Sequence, residues 1–313
     1  MLGKTAGSLF WMLRYLERAE NISRLIDAGF RIALTRSEDA ADEWESVLKA
    51  TAAAQSYTQC HDVIDTKNVV DFLLRSPKNA SSVYSCFKAA RENGRNARTA
   101  LTREMWEAVN EGWMRLDVDL KNPVSTKDLP AVLSLVRQQC SLVRGAMQGT
   151  MLRNDCYDFA QLGIFIERAD CTARLLDVKY YILLPSVNLV GSSIDNAQWE
   201  TILRSVSAER AFHWLYPGNI KAPDIAEFLI LDRRMPRSLA FCAREVTHSL
   251  DYIRGAYKTS PPSYEMAYDL RALVEQININ QIFNIGLHEF VTNFLSATAA
   301  LAGQIATDYR FTV

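Results

Sequence analysis

A chain of 313 residues is long enough to bury a sizeable core, and at about 150 residues per domain it holds either one large domain or two. Lys and Arg total 35 against 36 Asp and Glu, a net charge of −1, so the global positive excess on which nucleic-acid or anionic-membrane binding rests is missing. Hydrophobic residues at 49% and charged residues at 23% are globular values and exclude a disordered chain.

At the N-terminus the apolar run before Arg14 is too short for a signal peptide. No window approaches the roughly 20 apolar residues of a membrane span. Cytoplasmic residence is the expectation. From Ser8 to Leu34, the residues Tyr15, Leu16, Ala19, Ile22, Leu25 and Ile26 recur at three- and four-residue steps, which predicts a long helix. The same period predicts helices over 42–56, 80–99, 103–117, 129–150, 156–184, 197–208, 236–257, 264–277 and 280–308. Strand and hairpin signals are absent. Breaks are expected at Lys121-Asn122-Pro123, Pro185 to Ser193, Tyr216-Pro217-Gly218 and Ser260-Pro261-Pro262-Ser263. The fold class is therefore all-α, a bundle of about ten to twelve helices. Met147 to Asp158 carries no Pro- or Ser-rich spacer, so a helix is expected through or near this junction and residues 1–313 form one domain.

Self-comparison reveals a repeat at half the chain length. Leu16-Glu17-Arg18-Ala19-Glu20 through Arg24-Leu25-Ile26-Asp27 matches Ile166-Glu167-Arg168-Ala169-Asp170 through Arg174-Leu175-Leu176-Asp177 at an offset of 150. Asp71-Phe72-Leu73-Leu74 with Ser82 and Cys86 matches Glu227-Phe228-Leu229-Ile230 with Ser238 and Cys242 at an offset of 156. Two ordered matches predict two pseudo-symmetric halves, about 1–150 and 151–313.

At about 100° per residue, Glu17, Glu20, Arg24 and Asp27 fall on one stripe of their helix, and Glu167, Asp170, Arg174 and Asp177 repeat it. A solvated charged face is the plain reading of such a stripe. Arg18, however, lies between Leu25 and Ile22, and Arg168 between Leu175 and Thr172, so each arginine is drawn toward an apolar sector. A guanidinium keeps its proton, so a buried one needs acceptor partners. A network across the two halves would supply them. Glu17, Arg18, Glu20, Arg24, Glu167, Arg168, Asp170 and Arg174 thus form a candidate polar cleft.

Other chemistries lack their residues. Di-metal sites in helical bundles combine Glu with Glu-x-x-His, and His61, His213, His248 and His288 show no such spacing, so no metal is expected. The cysteines, Cys60, Cys86, Cys140, Cys156, Cys171 and Cys242, form no Cys-x-x-Cys and read as buried free thiols. Neither a Gly-x-Ser-x-Gly elbow nor a phosphate-cradling glycine loop occurs, so no cofactor and no ATP binding are expected. The repeat is asymmetric at Asp232-Arg233-Arg234-Met235-Pro236-Arg237-Ser238, whose first-half counterpart is Ser76-Pro77-Lys78-Asn79-Ala80-Ser81-Ser82. Arg233, Arg234, Arg237 and Ser238, just before a helix, form a candidate anion-binding group.

The stretch from Met1-Leu2-Gly3 through Arg14-Tyr15-Leu16-Glu17-Arg18-Ala19-Glu20-Asn21 resembles the N-terminal signature of the alpha-E family of bacterial all-helical proteins. Gly163 to Tyr180 is similar to its central signature and Asp232 to Ser238 to a third, so the resemblance spans the chain. It implies a partnership with a circularly permuted ATP-grasp ligase and a transglutaminase-like protein, in a setting of ATP-dependent amide or peptide-bond formation. The expected function is that of a non-ATP-binding accessory or substrate-binding partner with an amino-acid or peptide ligand. Two alternatives stand beside it: an enzyme of amide hydrolysis or transfer using Glu17 or Glu167, and a scaffold ordered by its Glu-Arg network.

Overall fold

Helix α1 (Gly3–Thr35) is not amphipathic in the simple sense. Leu9, Leu13, Leu16, Ala19, Ile22 and Ile26 are buried, and so are Glu17, Asn21 and Leu25, which carry the burial around the rest of the helix. A helix buried all round is enclosed by other helices. Helix α8 (Asp155–Ile182) is enclosed in the same way, and the two lie against each other at the centre of the molecule. Gly163 is the closest point: a Cβ there would run into the Phe10 carbonyl oxygen and crowd the Arg14 nitrogen at 3.2 Å.

This computed structural model describes residues 1–35, 40–182, 193–218 and 221–311. After α1 come α2 (Ala40–Ala50), α3 (Ala54–Thr58), α4 (Thr66–Leu74), α5 (Val83–Asn96), α6 (Arg103–Asp119) and α7 (Leu129–Thr150). After α8 come α9 (Ser193–Ser205), α10 (Glu209–Leu215), α11 (Ala222–Leu231), α12 (Leu239–Tyr257), α13 (Pro262–Glu275), α14 (Ile279–Ile285) and α15 (Leu287–Asp308). The fold is all-α, with 15 α-helices and no strand among the described residues. That exceeds the predicted number for three physical reasons. Ala52, in the left-handed region at φ 53°, ends the stretch predicted as 42–56 and divides α2 from α3. Gly286, at φ 109°, divides 280–308 into α14 and α15. Helices α4 and α11, at 9 and 10 residues, are too short to repeat a 3.6-residue pattern over several turns.

Element order repeats. Helices α5 and α7 pack on α1 as α12 and α15 pack on α8; α6 joins α5 to α7 as α13 joins α12 to α15. Each half also reaches across, with α2 against α8 and α9 against α1. Local details repeat too. Ser82 caps α5 by accepting the Ser85 N–H, and Ser238 caps α12 by accepting the Phe241 N–H. Ala52 and Ser207 share the left-handed conformation, at φ 53° and 56°. Of the longer helices none lacks a counterpart; α14 does.

The junction between the halves is a turn over 151–154, not a continuous helix. Asn154 stops a helix from running through, because its side-chain oxygen accepts the Cys156 and Tyr157 N–H groups and starts α8 afresh. The expected break from Pro185 lies outside the described residues. Among the described residues no helix is long and apolar enough to cross a membrane.

Candidate functional site

Where α1 meets α8, the repeated Glu-Arg pairs face one another and bond crosswise. Arg18 Nε donates to Glu167 Oε1 at 2.6 Å and its Nη2 to Oε2 at 2.9 Å. Arg168 Nε donates to Glu17 Oε1 at 2.9 Å and its Nη2 to Oε2 at 3.3 Å. Both glutamates are buried, at 1% and 4% exposure, so the charged stripe is not a solvated face. Each arginine keeps a flat neighbour on its own helix, Tyr15 under Arg18 and Phe165 under Arg168.

Around this shared motif the two halves differ. In the first cluster, Glu17 and Glu20 face four arginines. Arg237 Nη1 lies 2.9 Å from Glu17 Oε1 and its Nη2 donates to Glu20 Oε1 at 3.1 Å, while Nη1 also donates to Asn21 Oδ1 at 2.8 Å. Arg144 from α7 donates to Glu17 Oε2 at 3.3 Å and pairs with Glu20 Oε2. Arg24 donates to Glu20 Oε1 at 2.6 Å and to the Ser207 hydroxyl. In the second cluster, Glu167 and Asp170 face three. Arg14 Nε donates to Glu167 Oε2 at 2.8 Å, beside Arg18, and Arg174 holds Asp170 at 2.7 and 3.1 Å.

Burial alone would raise the Glu17 carboxyl, but Arg168, Arg237 and Arg144 override it and hold the group well below the ordinary 4.5. Glu20 is lowered by Arg144, Arg237 and Arg24 against both burial and its neighbour Glu17. Glu167 is lowered against burial by Arg18 and Arg14. These carboxylates stay ionised at neutral pH, which makes them poor proton acceptors for catalysis. Burial pushes the Cys86, Cys171 and Cys242 thiols up to about 12. All six cysteines are free. Among the described residues no group of His, Cys, Asp and Glu is placed to hold a metal.

The predicted anion group does not assemble. Arg237 turns inward to Glu17 and Glu20. Arg234 lies on the surface, clamped to Asp232 at 2.7 Å, and Arg233 leans to Glu275 at 3.6 Å. Ser238 spends its hydroxyl on the α12 cap and on the Asp232 carbonyl. Three neighbouring arginines thus go to three separate places, because one faces the core and two face solvent.

The predicted polar cleft is half closed. Glu17, Glu20, Arg24 and Arg168 belong to the filled cluster, whereas Arg18, Glu167, Asp170 and Arg174 line a cavity of about 180 Å³. Arg14, Asn21 and Ser81 complete its polar wall, with the backbone turn at 50–52 at its edge. Sequence reasoning passed over Arg14, Asn21, Ser81 and Arg144 as site residues. Arg14 and Asn21 were reachable, since each sits one helical turn from an already selected residue, Arg18 and Glu17. Ser81 was reachable as the repeat mate of Arg237. Arg144 left no signal, because it lies outside both repeated segments and its charge carries no pattern of its own.

A family model, Alpha-E, described as a predicted alpha-helical domain with a conserved ER motif, matches residues 1–309. The chain belongs to the Alpha-E family. In this member the Glu-Arg pairs at 17–18 and 167–168 are the ones that cross-pair at the centre of the fold. No curated protein and no solved structure matches the chain.

Proposed function

We propose that this Alpha-E protein is a cytoplasmic, non-ATP-binding partner of an ATP-grasp amide or peptide ligase, and that it holds an amino-acid or peptide ligand in the cavity between α1 and α8. The observation that carries the ligand is the charge of that cavity: Arg14, Arg18 and Arg174 outnumber Glu167 and Asp170 in its wall. A pocket kept this polar inside a helical core is costly as packing, and a ligand with opposite charges at its two ends gives it a use. The ligase partner, with a transglutaminase-like protein as a second member of the system, rests on the resemblance of the Glu-Arg signatures. The clamped, ionised state of Glu17 and Glu167 disfavours a separate hydrolase or transferase built on them.

The test is co-purification with a circularly permuted ATP-grasp ligase from the same genome, mass spectrometry of any retained small molecule, and calorimetric titration of the chain with ATP and then with amino acids and short peptides. The expected result is a complex, an amino-acid or peptide ligand, no heat with ATP, and faster amide formation by the ligase. ATP binding at micromolar strength, or amide turnover by the isolated chain that vanishes in Glu167→Gln, would overturn it.

A further inference from the structure

The repeat shows what the cavity lacks. Arg237 is held by Glu17, Glu20 and Asn21. At an offset of 150 those three become Glu167, Asp170 and Cys171, and at 156 Arg237 itself becomes Ser81. All four counterparts line the cavity. It is therefore the place that an Arg237-like guanidinium would fill in the first half, left open because Ser81 is short. One end of the cavity is a cation seat by construction. Asp170 still has room for it, since each of its oxygens accepts a single bond, from Arg174.

A second observation points the other way in charge. Arg14 has no cationic counterpart, its repeat mate being Ile164. A guanidinium carries five N–H donors. Among the described residues Arg14 spends only Nε, and Arg18 and Arg174 spend Nε and Nη2, each on the carboxylates of this wall. Asn21 is 5% exposed, accepts from Arg237 through its Oδ1, and leaves its Nδ2 donor without a protein partner at the cavity. Buried donors without acceptors are uncommon in folded proteins. The unspent groups are donors, and they call for an anion beside the cation seat.

Resting on the reading above, we infer that the cavity is a seat for a free α-amino acid, whose ammonium takes the place of the missing guanidinium against Asp170 and Glu167 and whose carboxylate accepts from Arg14, Arg18, Arg174 and Asn21. A single zwitterion offers both charges within one residue's length and suits a volume of about 180 Å³. Inorganic phosphate would place its charge against Glu167 and Asp170 and leave the cation seat empty. A peptide loses one of the two charges at any given residue.

The test is calorimetric titration of the full chain with each proteinogenic amino acid, the amide and the N-acetyl derivative of any that bind, and inorganic phosphate. Ser81→Arg, which restores the side chain of the other half, and Arg174→Ala, a partly exposed position that leaves the core intact, are titrated alongside. A free amino acid should bind, both derivatives should bind about tenfold or more weakly, and Ser81→Arg should abolish binding while keeping its unfolding midpoint and its complex with the ligase. Arg174→Ala should weaken binding by a similar factor. Equal binding of the derivatives, phosphate binding in place of amino acids, undiminished binding in both variants, or no binding by any free amino acid would each overturn the inference. Peptide binding without amino-acid binding removes this inference alone, whereas loss of the ligase complex in the unmodified chain removes the partnership instead.

Discussion

The Glu17 and Glu167 clusters start from the same helix position and end differently. Around Glu17 and Glu20 the core supplies Arg24, Arg144, Arg168 and Arg237, and three of these reach in from outside α1. Around Glu167 and Asp170 it supplies Arg14, Arg18 and Arg174, and the remaining space stays open. A buried carboxylate surrounded on all sides is an ordering device. Its twin with one side missing is where we place the proposed ligand. Duplication makes the distinction visible, since one half acts as the reference for what the other has given up.

The comparison breaks first at Arg237. Arg237→Ala leaves Glu17, Glu20 and Asn21 buried without their shared partner, and should cost about 3–5 kcal/mol in denaturant unfolding. A cost below about 1 kcal/mol would show that the filled cluster is not structural. Acid acts on both clusters together. Glu17, Glu20 and Glu167 are lowered from 4.5 on folding, so the unfolded chain binds more protons in mildly acidic solution. Their stabilisation is complete above pH 4.5 and is lost as the pH falls toward the folded values, which a series of thermal melts should show. Asp158 runs oppositely. Burial raises it from 3.8 to about 6, so its contribution is complete below pH 3.8 and is lost as the pH rises through about 6. In Asp158→Asn that loss should vanish while the acid limb remains.

Gly163→Ala pushes α8 away from the Phe10 carbonyl and should cost about 1–3 kcal/mol, through both clusters equally. The smallest effect on stability belongs to Arg174→Ala. Its side chain is 36% exposed in an i,i+4 pair, so less than about 1 kcal/mol should be lost. A large drop there would place the open cluster among the structural ones.

The long helices were legible because their apolar positions keep a 3.6-residue period, and the crossed pairing was legible because Arg18 and Arg168 sit among apolar neighbours. Short helices such as α4 were not, since nine residues hold too few turns for the period to stand out. Arg237 was misplaced for a related reason. Beside Arg233 and Arg234 it reads as part of a surface group, and only its mate Ser81 and the packing of α12 on α8 reveal that it points inward. The cavity itself follows from a side chain that is short, and a small residue leaves no mark in a pattern of charges.

The crossed bonds also bear on what counts as a folding unit. Arg18 to Glu167 and Arg168 to Glu17 is the i-to-j, j-to-i contact of an isologous dimer interface, here carried within one polypeptide. Residues 1–150 alone would keep Glu17 without Arg168 and expose the face of α1 that α8 covers. Neither half is then complete by itself. Cut within the turn at 151–154, the two pieces should find each other again as a heterodimer, with the Glu-Arg pairs as their mutual recognition code.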